Sequence, residues 1–547
     1  MKKLGGVLAV LVVAAVAAVG LASCGGGGSG SGGKQGGILN ATYASFPDYM
    51  DPQLSYTAEG WTAMGEVYIP LLTYKHAEGK EGSEVEPGLA KEMPKISNGG
   101  KTYTLFLRPG LKYSDGTPVK ASDFPYTVER LLKLNSPGSP FYTTIVGAEK
   151  FANTKTGGIS GIKTDDKTGE IQIELEGPRS TFVNELALLF VAPVPKGTPM
   201  EDLSANPPPA TGPYMITKSQ PGRGWEYARN PYWAKANSKA MPEYPSGHVN
   251  GAKVTVVRNK EAQVNDVEQG KYDWMEDPPP AGRYAQVKEK YEGTQFKVHT
   301  TISTYYFWMN TQKAPFNNLK VRQAVNYAVD PAALERVYSG QIKATQQILP
   351  PGMPGYEKFE LYPHNMQKAK KLIEEANPSD MNITVWTDNE SPNKEAGEYY
   401  EGVLKELGFN TKLKVVNADN YSQVTGNAST PDLDTGWSDW FEDYPHPNDF
   451  FGILLNGNSI EKTNNYNFSM SDNEELNKKM ERLDEEQLGP SQEKEYAELD
   501  KAYMEEAAWA PYGTRTLPTF VSSNINLEGI IYNPTFFEYL TSFEFNE

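Results

Sequence analysis

The sequence predicts an α/β fold with a mostly parallel sheet and helices on its faces, and three observations predict it. Segments that alternate apolar and polar residues take turns with segments whose apolar residues recur three and four apart, the βαβ pattern. The chain has 547 residues, enough for two or three domains. Aromatic residues make up 11% of it, with 32 Tyr and 9 Trp, which excludes a disordered chain; core packing accounts for most such rings. The formal net charge of −17 excludes a nucleic-acid or anionic-lipid surface as partner, and no repeat at solenoid periods is visible.

In chain order, Lys2 and Lys3 precede an uncharged run of Val, Ala, Leu and Gly (4–21), the n- and h-regions of a secretory signal. Leu21-Ala22-Ser23-Cys24 resembles the bacterial lipobox, which implies cleavage before Cys24 and a lipid on its sulfur. The alternative is an uncleaved membrane-spanning anchor. Cys24 is the only cysteine, so a disulfide within the chain is excluded, and a Gly/Ser tract builds no pocket to activate a thiol. Residues 25–33 are all Gly and Ser, a flexible leash for an extracytoplasmic body.

The first ordered strand is expected in "GGILNATYASF" (36–46), by its period of two. "KTYTLFLR" (101–108) is the next clear strand, after a turn at Asn98-Gly99-Gly100, and Ser122 or Asp123 caps a helix through Leu132. Residues 162–175 read as a hairpin turning near Lys167-Thr168-Gly169, and "STFVNELALLFVAPVP" (180–195) as a capped helix and an exit. "AKVTVVRN" and "STYYFWMNT" are strands, with the helix of "EAQVNDVEQGKYD" between them. Two helices follow in "NNLKVRQAVNYAVDPAALERVYSG", the second started by Asp330 at N-cap and Pro331 at N1. Helix, strand, helix, strand then alternate over residues 366–417, and a long helix ending near Ala508 leads into closing strands.

Catalytic and metal signatures are absent. No HExxH, paired CxxC or GxSxG occurs, and the GxxxxGK of residues 28–34 is followed by Gln and has no strand before it. The five His are scattered, and no carboxylate pair can be selected from an acidic chain, so the sequence favours binding over catalysis, with no cofactor and no metal.

Six motifs in order carry a resemblance: "PDYMDP" (47–52), the segment of 85–124 ending "SDGTPVKASDF", "ATGPY" (210–214), "RNPYW" (229–233), "FNNLKVRQAVNYAVD" (316–330) and "WFEDYPHPNDF" (440–450). With this series the chain resembles the extracellular solute-binding proteins of family 5, the peptide- and nickel-binding components of ABC importers, over nearly all of its length beyond the leash. The resemblance implies a bilobal periplasmic-binding-protein-like fold of type II, with two mixed-sheet lobes, an extra subdomain and a hinge. It implies a signal peptide (1–23), a linker (24–36), a first lobe in three parts (37–67, 206–304, 513–547), an extra subdomain (68–205) and a second lobe (305–512). It further implies a monomer, lipid-anchored outside the membrane, that hands oligopeptides to ABC permease subunits. The same fold could hold a nickel complex or a sugar, and the rivals from other classes are an extracytoplasmic hydrolase and a surface adhesin.

Asp443 is the leading candidate site residue. It stands among Trp440, Phe441 and Tyr444, and a carboxylate among aromatics is costly unless a cation pairs with it. A peptide's α-ammonium is such a cation, and Asp443 matches the family position that binds it; the alternative is a turn cap before Pro445. Trp440 and Phe441 would line the channel. Glu59-Gly60-Trp61 resembles the family's ligand-pairing segment, two residues late. Trp386 is expected in the core, and His446 as a structural histidine.

Overall fold

The computed structural model describes residues 34–547. The expected signal segment, the lipobox with Cys24, and the Gly/Ser stretch 25–33 lie outside the described residues.

Twelve strands form one sheet that runs through the whole molecule. In chain order they are β1 (Ile38–Tyr43), β2 (Tyr214–Gln220), β3 (Gly224–Arg229), β4 (Gly251–Val256), β5 (Trp274–Met275), β6 (Phe296–Thr300), β7 (Ser303–Met309), β8 (Ile342–Ala344), β9 (Asn382–Asp388), β10 (Asn410–Val416), β11 (Thr435–Phe441) and β12 (Trp509–Val521). Their order across the sheet is β10-β9-β11-β7-β12-β5-β1-β4-β3-β2, with β6 and β8 also paired to β12. The sheet is mixed, not mostly parallel. Parallel pairing is confined to β1 with β4 and β5, and β9 with β10 and β11. Antiparallel pairing supplies the rest: β12, which arrives late in the chain, lies antiparallel to all four of its partners, β5, β6, β7 and β8, and the pairs β7 with β11, β3 with β4 and β2 with β3 are antiparallel too.

Two large apolar cores divide the chain. One gathers side chains from Leu39 to Trp274 and again from Val521 to Phe543; the other runs from Ile302 to Tyr512. A small third core sits under β6, around Val264, Tyr284 and Phe520. β7 is buried at every position, so it reads as a continuous apolar run and not as an alternating one. Its rings stack on neighbours: Tyr306 on Trp509 at 3.5 Å and Phe307 on Tyr400 at 4.0 Å.

The chain passes between the lobes at residues 300–303, and again within β12. The first half of β12 pairs with β7 and β8 and the second half with β5 and β6, so one strand belongs to both lobes. A register shift opposite Tyr305 and Tyr306 leaves Tyr512 as an extra residue near the change of partner. The lobes also touch outside β12. The Ser180 N–H donates to the Asp484 carbonyl at 2.6 Å, and Lys80 pairs with Glu493 at 2.8 Å.

Local chemistry accounts for most elements. Asp330 Oδ1 accepts from the Ala332 N–H at 3.0 Å, and Pro331 opens the helix Pro331–Val337, as the sequence predicts. The helix Asp123–Lys133 forms, but Ser122 does not cap it; its hydroxyl donates to Asp166 at 2.9 Å. The expected helix after Ser180 shrinks to Phe182–Glu185 and a 3-10 turn at Leu189–Val191. Residues 186–192 are buried all round, so no amphipathic face exists to continue a helix. The last long helix ends at Glu506, because Ala507 turns left-handed at φ 52° and Trp509 begins β12.

Candidate functional site

β11 lies at the middle of the second lobe, held antiparallel to β7 with Phe441 opposite Ser303 and Asp439 opposite Tyr305. It ends at Phe441, and the loop 442–447 then projects toward the first lobe before the helix Asn448–Leu454 begins. Asp449 fixes this loop from the first turn of that helix, where the helix dipole favours a carboxylate. Its Oδ2 accepts from the Asp443 N–H at 3.1 Å and from Trp440 Nε1 at 3.0 Å. Its Oδ1 is buried without a hydrogen-bond partner. Tyr444 inserts into the first lobe's core, edge-on to Phe141 at 6.0 Å.

The first lobe answers with residues 55–57. Asp48 pins this loop by accepting from the Ser55 hydroxyl at 2.7 Å, the Tyr56 N–H at 2.7 Å and the Thr57 hydroxyl at 3.1 Å. Tyr56 is thereby aimed across the cleft, its ring against Phe190 at 5.6 Å, and its hydroxyl donates to the Asp443 carboxyl. Burial pushes Asp443 up to about 6, and the Tyr56 hydrogen bond works against that rise. Burial also raises the Tyr56 phenol, with the Asp443 charge adding to it. Among the described residues no cation is paired with Asp443; its side-chain partner is a neutral hydroxyl.

Two cavities meet at Asp443, and Tyr56 and Phe441 line both. The smaller, about 190 Å³, is walled by Trp61, Glu442, Pro534 and Phe537. The larger, about 470 Å³, is walled by Asp388, Tyr421, Trp437, Asp439, Trp440 and Tyr466 among others. Burial pushes Asp439 up to about 6, with the Asp388 charge adding to the rise and a Tyr305 hydrogen bond and Arg515 opposing it. Glu442 is raised by burial first, and then by Asp449 and Asp443. The cleft is thus an acidic, aromatic slot, in which carboxylates are held partly desolvated.

The structure brings Asp443, Trp440, Phe441 and Trp61 together around these cavities. Glu59 and Gly60 line neither. They lie in the helix Ala58–Met64, where the Gly60 N–H donates to the Thr57 hydroxyl at 3.3 Å and the Trp61 N–H to the Thr57 carbonyl at 3.0 Å. Those amides are committed to a helix start, and of the three residues Trp61 is the one that reaches a cavity wall. Gly60 is required by packing: a Cβ would fall 1.9 Å from Ser55 Oγ. Trp386 is in the second core with Nε1 on the Asp432 carbonyl at 2.8 Å. His446 is buried, accepts from the Asn448 N–H at 3.1 Å, and is pushed down to about 3 by burial. Among the described residues, no group of three or more His, Cys, Asp or Glu is placed to hold a metal ion, and no helix is long and apolar enough to cross a membrane.

Sequence reasoning missed Tyr56, Asp439 and Phe537. Asp439 carried a readable signal, since it falls within the same aromatic-acidic run as Asp443; nothing local marks the other two.

Comparison with known proteins bears on this cleft. Residues 84–462 match the family model of the bacterial extracellular solute-binding proteins, family 5 Middle. The chain is 28% identical over 455 residues to the dipeptide-binding protein of Escherichia coli, covering 77% of this chain and 79% of that one. It is 26% identical over 503 residues to heme-binding protein A of Haemophilus influenzae, covering 86% and 85%. Among solved structures, the clavulanic acid biosynthesis oligopeptide binding protein 2 superposes with a TM-score of 0.84 at 21% identity, over 94% of this chain and 96% of that one.

Proposed function

The chain belongs to the bacterial extracellular solute-binding proteins of family 5, and from that premise we propose that it is the lipid-anchored receptor of an ABC importer, capturing short peptides between its lobes and delivering them to the permease subunits. Asp443 takes the peptide's α-ammonium, and Trp440, Phe441 and Trp61 line the channel. Residues 37–67, 206–304 and 513–547 are the first lobe, 68–205 its extra subdomain and 305–512 the second lobe; the two large cores support the division between the lobes, and residues 68–205 share the core of the first. Cys24 carries the lipid and residues 24–36 tether a monomeric body.

The single observation that carries this reading is the Asp443 carboxyl. It is half-buried where both lobes and both cavities meet, its side-chain partner is neutral, and a desolvated carboxylate is stabilised by a cation. A peptide amine is a cation of fitting size. The haem named for one relative is a poorer match, because its propionates would face Asp388, Asp439, Glu442 and Asp443. Calorimetry with trialanine and N-acetyl-trialanine tests the reading. Tight binding of the free amine and weak binding of the acetylated form are expected. Equal affinity for the two would leave Asp443 as a turn residue.

A further inference from the structure

The larger cavity carries a chemistry that amine capture does not use. It opens from the shared residues Tyr56, Phe441 and Asp443 and extends into the second lobe, and its volume of about 470 Å³ is that of a small-molecule site. Two more carboxylates, Asp388 and Asp439, line it beyond Asp443. No Lys, Arg or His is among the lining residues. Arg515 acts on Asp439 from outside the cavity, and its own guanidinium donates to Gln341 at 2.9 Å. Asp388 is held by neutral donors, the Glu390 N–H at 2.8 Å and Asn393 Nδ2 at 3.0 Å. Beside the cavity, Asp449 adds a buried carboxylate whose Oδ1 has no partner. Most of the remaining wall is aromatic, including Tyr421, Trp437, Tyr466 and Phe468, with Asn393, Ser422 and Ser438 as neutral polar neighbours. Carboxylates at the end of an aromatic wall suit a long apolar stem with a cationic tip, since ring faces attract cations and pack against methylenes.

We infer that this cavity receives a basic side chain, lysine or arginine, of the bound peptide, so that the receptor selects cationic peptides and not peptides at large. The inference rests on the peptide-receptor reading above. One charge is taken by Asp443 and the second by Asp439 and Asp388.

The test is a calorimetric series on the full chain: trialanine, and the tripeptides in which one alanine at a time is replaced by lysine or by norleucine, an uncharged residue with a similar stem. At one position lysine should bind about tenfold or more tightly than norleucine, the scale of a close charge pair. Asp439→Asn should bring that lysine-to-norleucine ratio toward one; the ratio is read within the same variant, so any general loss cancels. Asp388→Asn gives a second, independent reading of the ratio. Should trialanine bind while lysine never exceeds norleucine, the inference falls and the receptor reading stands. A lysine preference that survives both substitutions also overturns it, because the charge would be read elsewhere. If no peptide in the series binds, both readings fall together.

Discussion

The two cavities that meet at Asp443 are built differently. The smaller is an interface: Tyr56, Trp61, Pro534 and Phe537 come from one lobe and Phe441 and Glu442 from the other, so its shape exists only while the lobes face each other. The larger is carved almost entirely from the second lobe, between β11, the end of β9 and the segment around Tyr466, with Tyr56 alone reaching in from across the cleft. The difference separates two tasks. A pocket within one rigid lobe can select a ligand before closure, whereas a pocket shared between lobes rewards closure itself. Asp443 belongs to both, and on the proposed function one carboxylate links the two tasks.

The sharpest way to break this comparison is to remove the shared group. Asp443→Asn keeps the shape and the acceptor for Tyr56 but not the charge. Breaking one partner of a buried charge pair costs about 3–5 kcal/mol. Peptide affinity should therefore fall by roughly a hundred-fold to several thousand-fold. N-acetylated peptide should bind the variant and the parent alike. Titration calorimetry measures both.

A smaller effect comes from protons. Asp443 and Asp439 are both pushed up to about 6. A carboxylate pairs with an ammonium only when ionised, so affinity should be level well above pH 6 and fall as pH drops through it. Below that point each pH unit should cost about tenfold per carboxylate engaged. A lysine peptide, engaging two such groups, should lose affinity more steeply than trialanine. Equal slopes from pH 7 to 5 would merge the two cavities into one site.

The smallest expected effect is at Tyr56, which reaches across the cleft to Asp443. Tyr56→Phe removes a single hydroxyl hydrogen bond to Asp443, worth about 1 kcal/mol. The loss should be about fivefold and fall equally on all peptides. A selective loss for lysine peptides would mean that Tyr56 belongs to the larger cavity alone.

Much of the fold was legible because its signals are local. Asp330 and Pro331 start a helix by their own chemistry, and "STYYFWMNT" is rich in the β-branched and aromatic residues that favour a strand. Asp443 was legible for a similar reason: Pro445 and Pro447 forbid a helix face, so its charge cannot be met by an i,i+4 partner. Its actual partner was not legible. Tyr56 lies 387 residues away, and only the folding of the chain through both lobes brings them together. Asp388 and Asp439 share a wall because β9 and β11 are neighbours in parallel register, a fact of sheet order that no window of sequence contains. The same blindness produced the mostly parallel sheet: strand direction across β12 is decided by where the chain returns from, not by the residues in the strand. Glu59-Gly60-Trp61 shows the converse, a segment whose helix start is set locally by the Thr57 hydroxyl.

β12 makes the receptor a leaf spring. Because a single ribbon of thirteen residues is laced by hydrogen bonds to both halves of the molecule, the halves cannot slide or part without tearing it. What remains is flexure about the line through Tyr512 and residues 300–303. Displacement then grows with distance from that line, as at the free end of any cantilever. One contact off that line joins Ser180 to Asp484. A spectroscopic ruler placed across that contact reads the angle between the two halves.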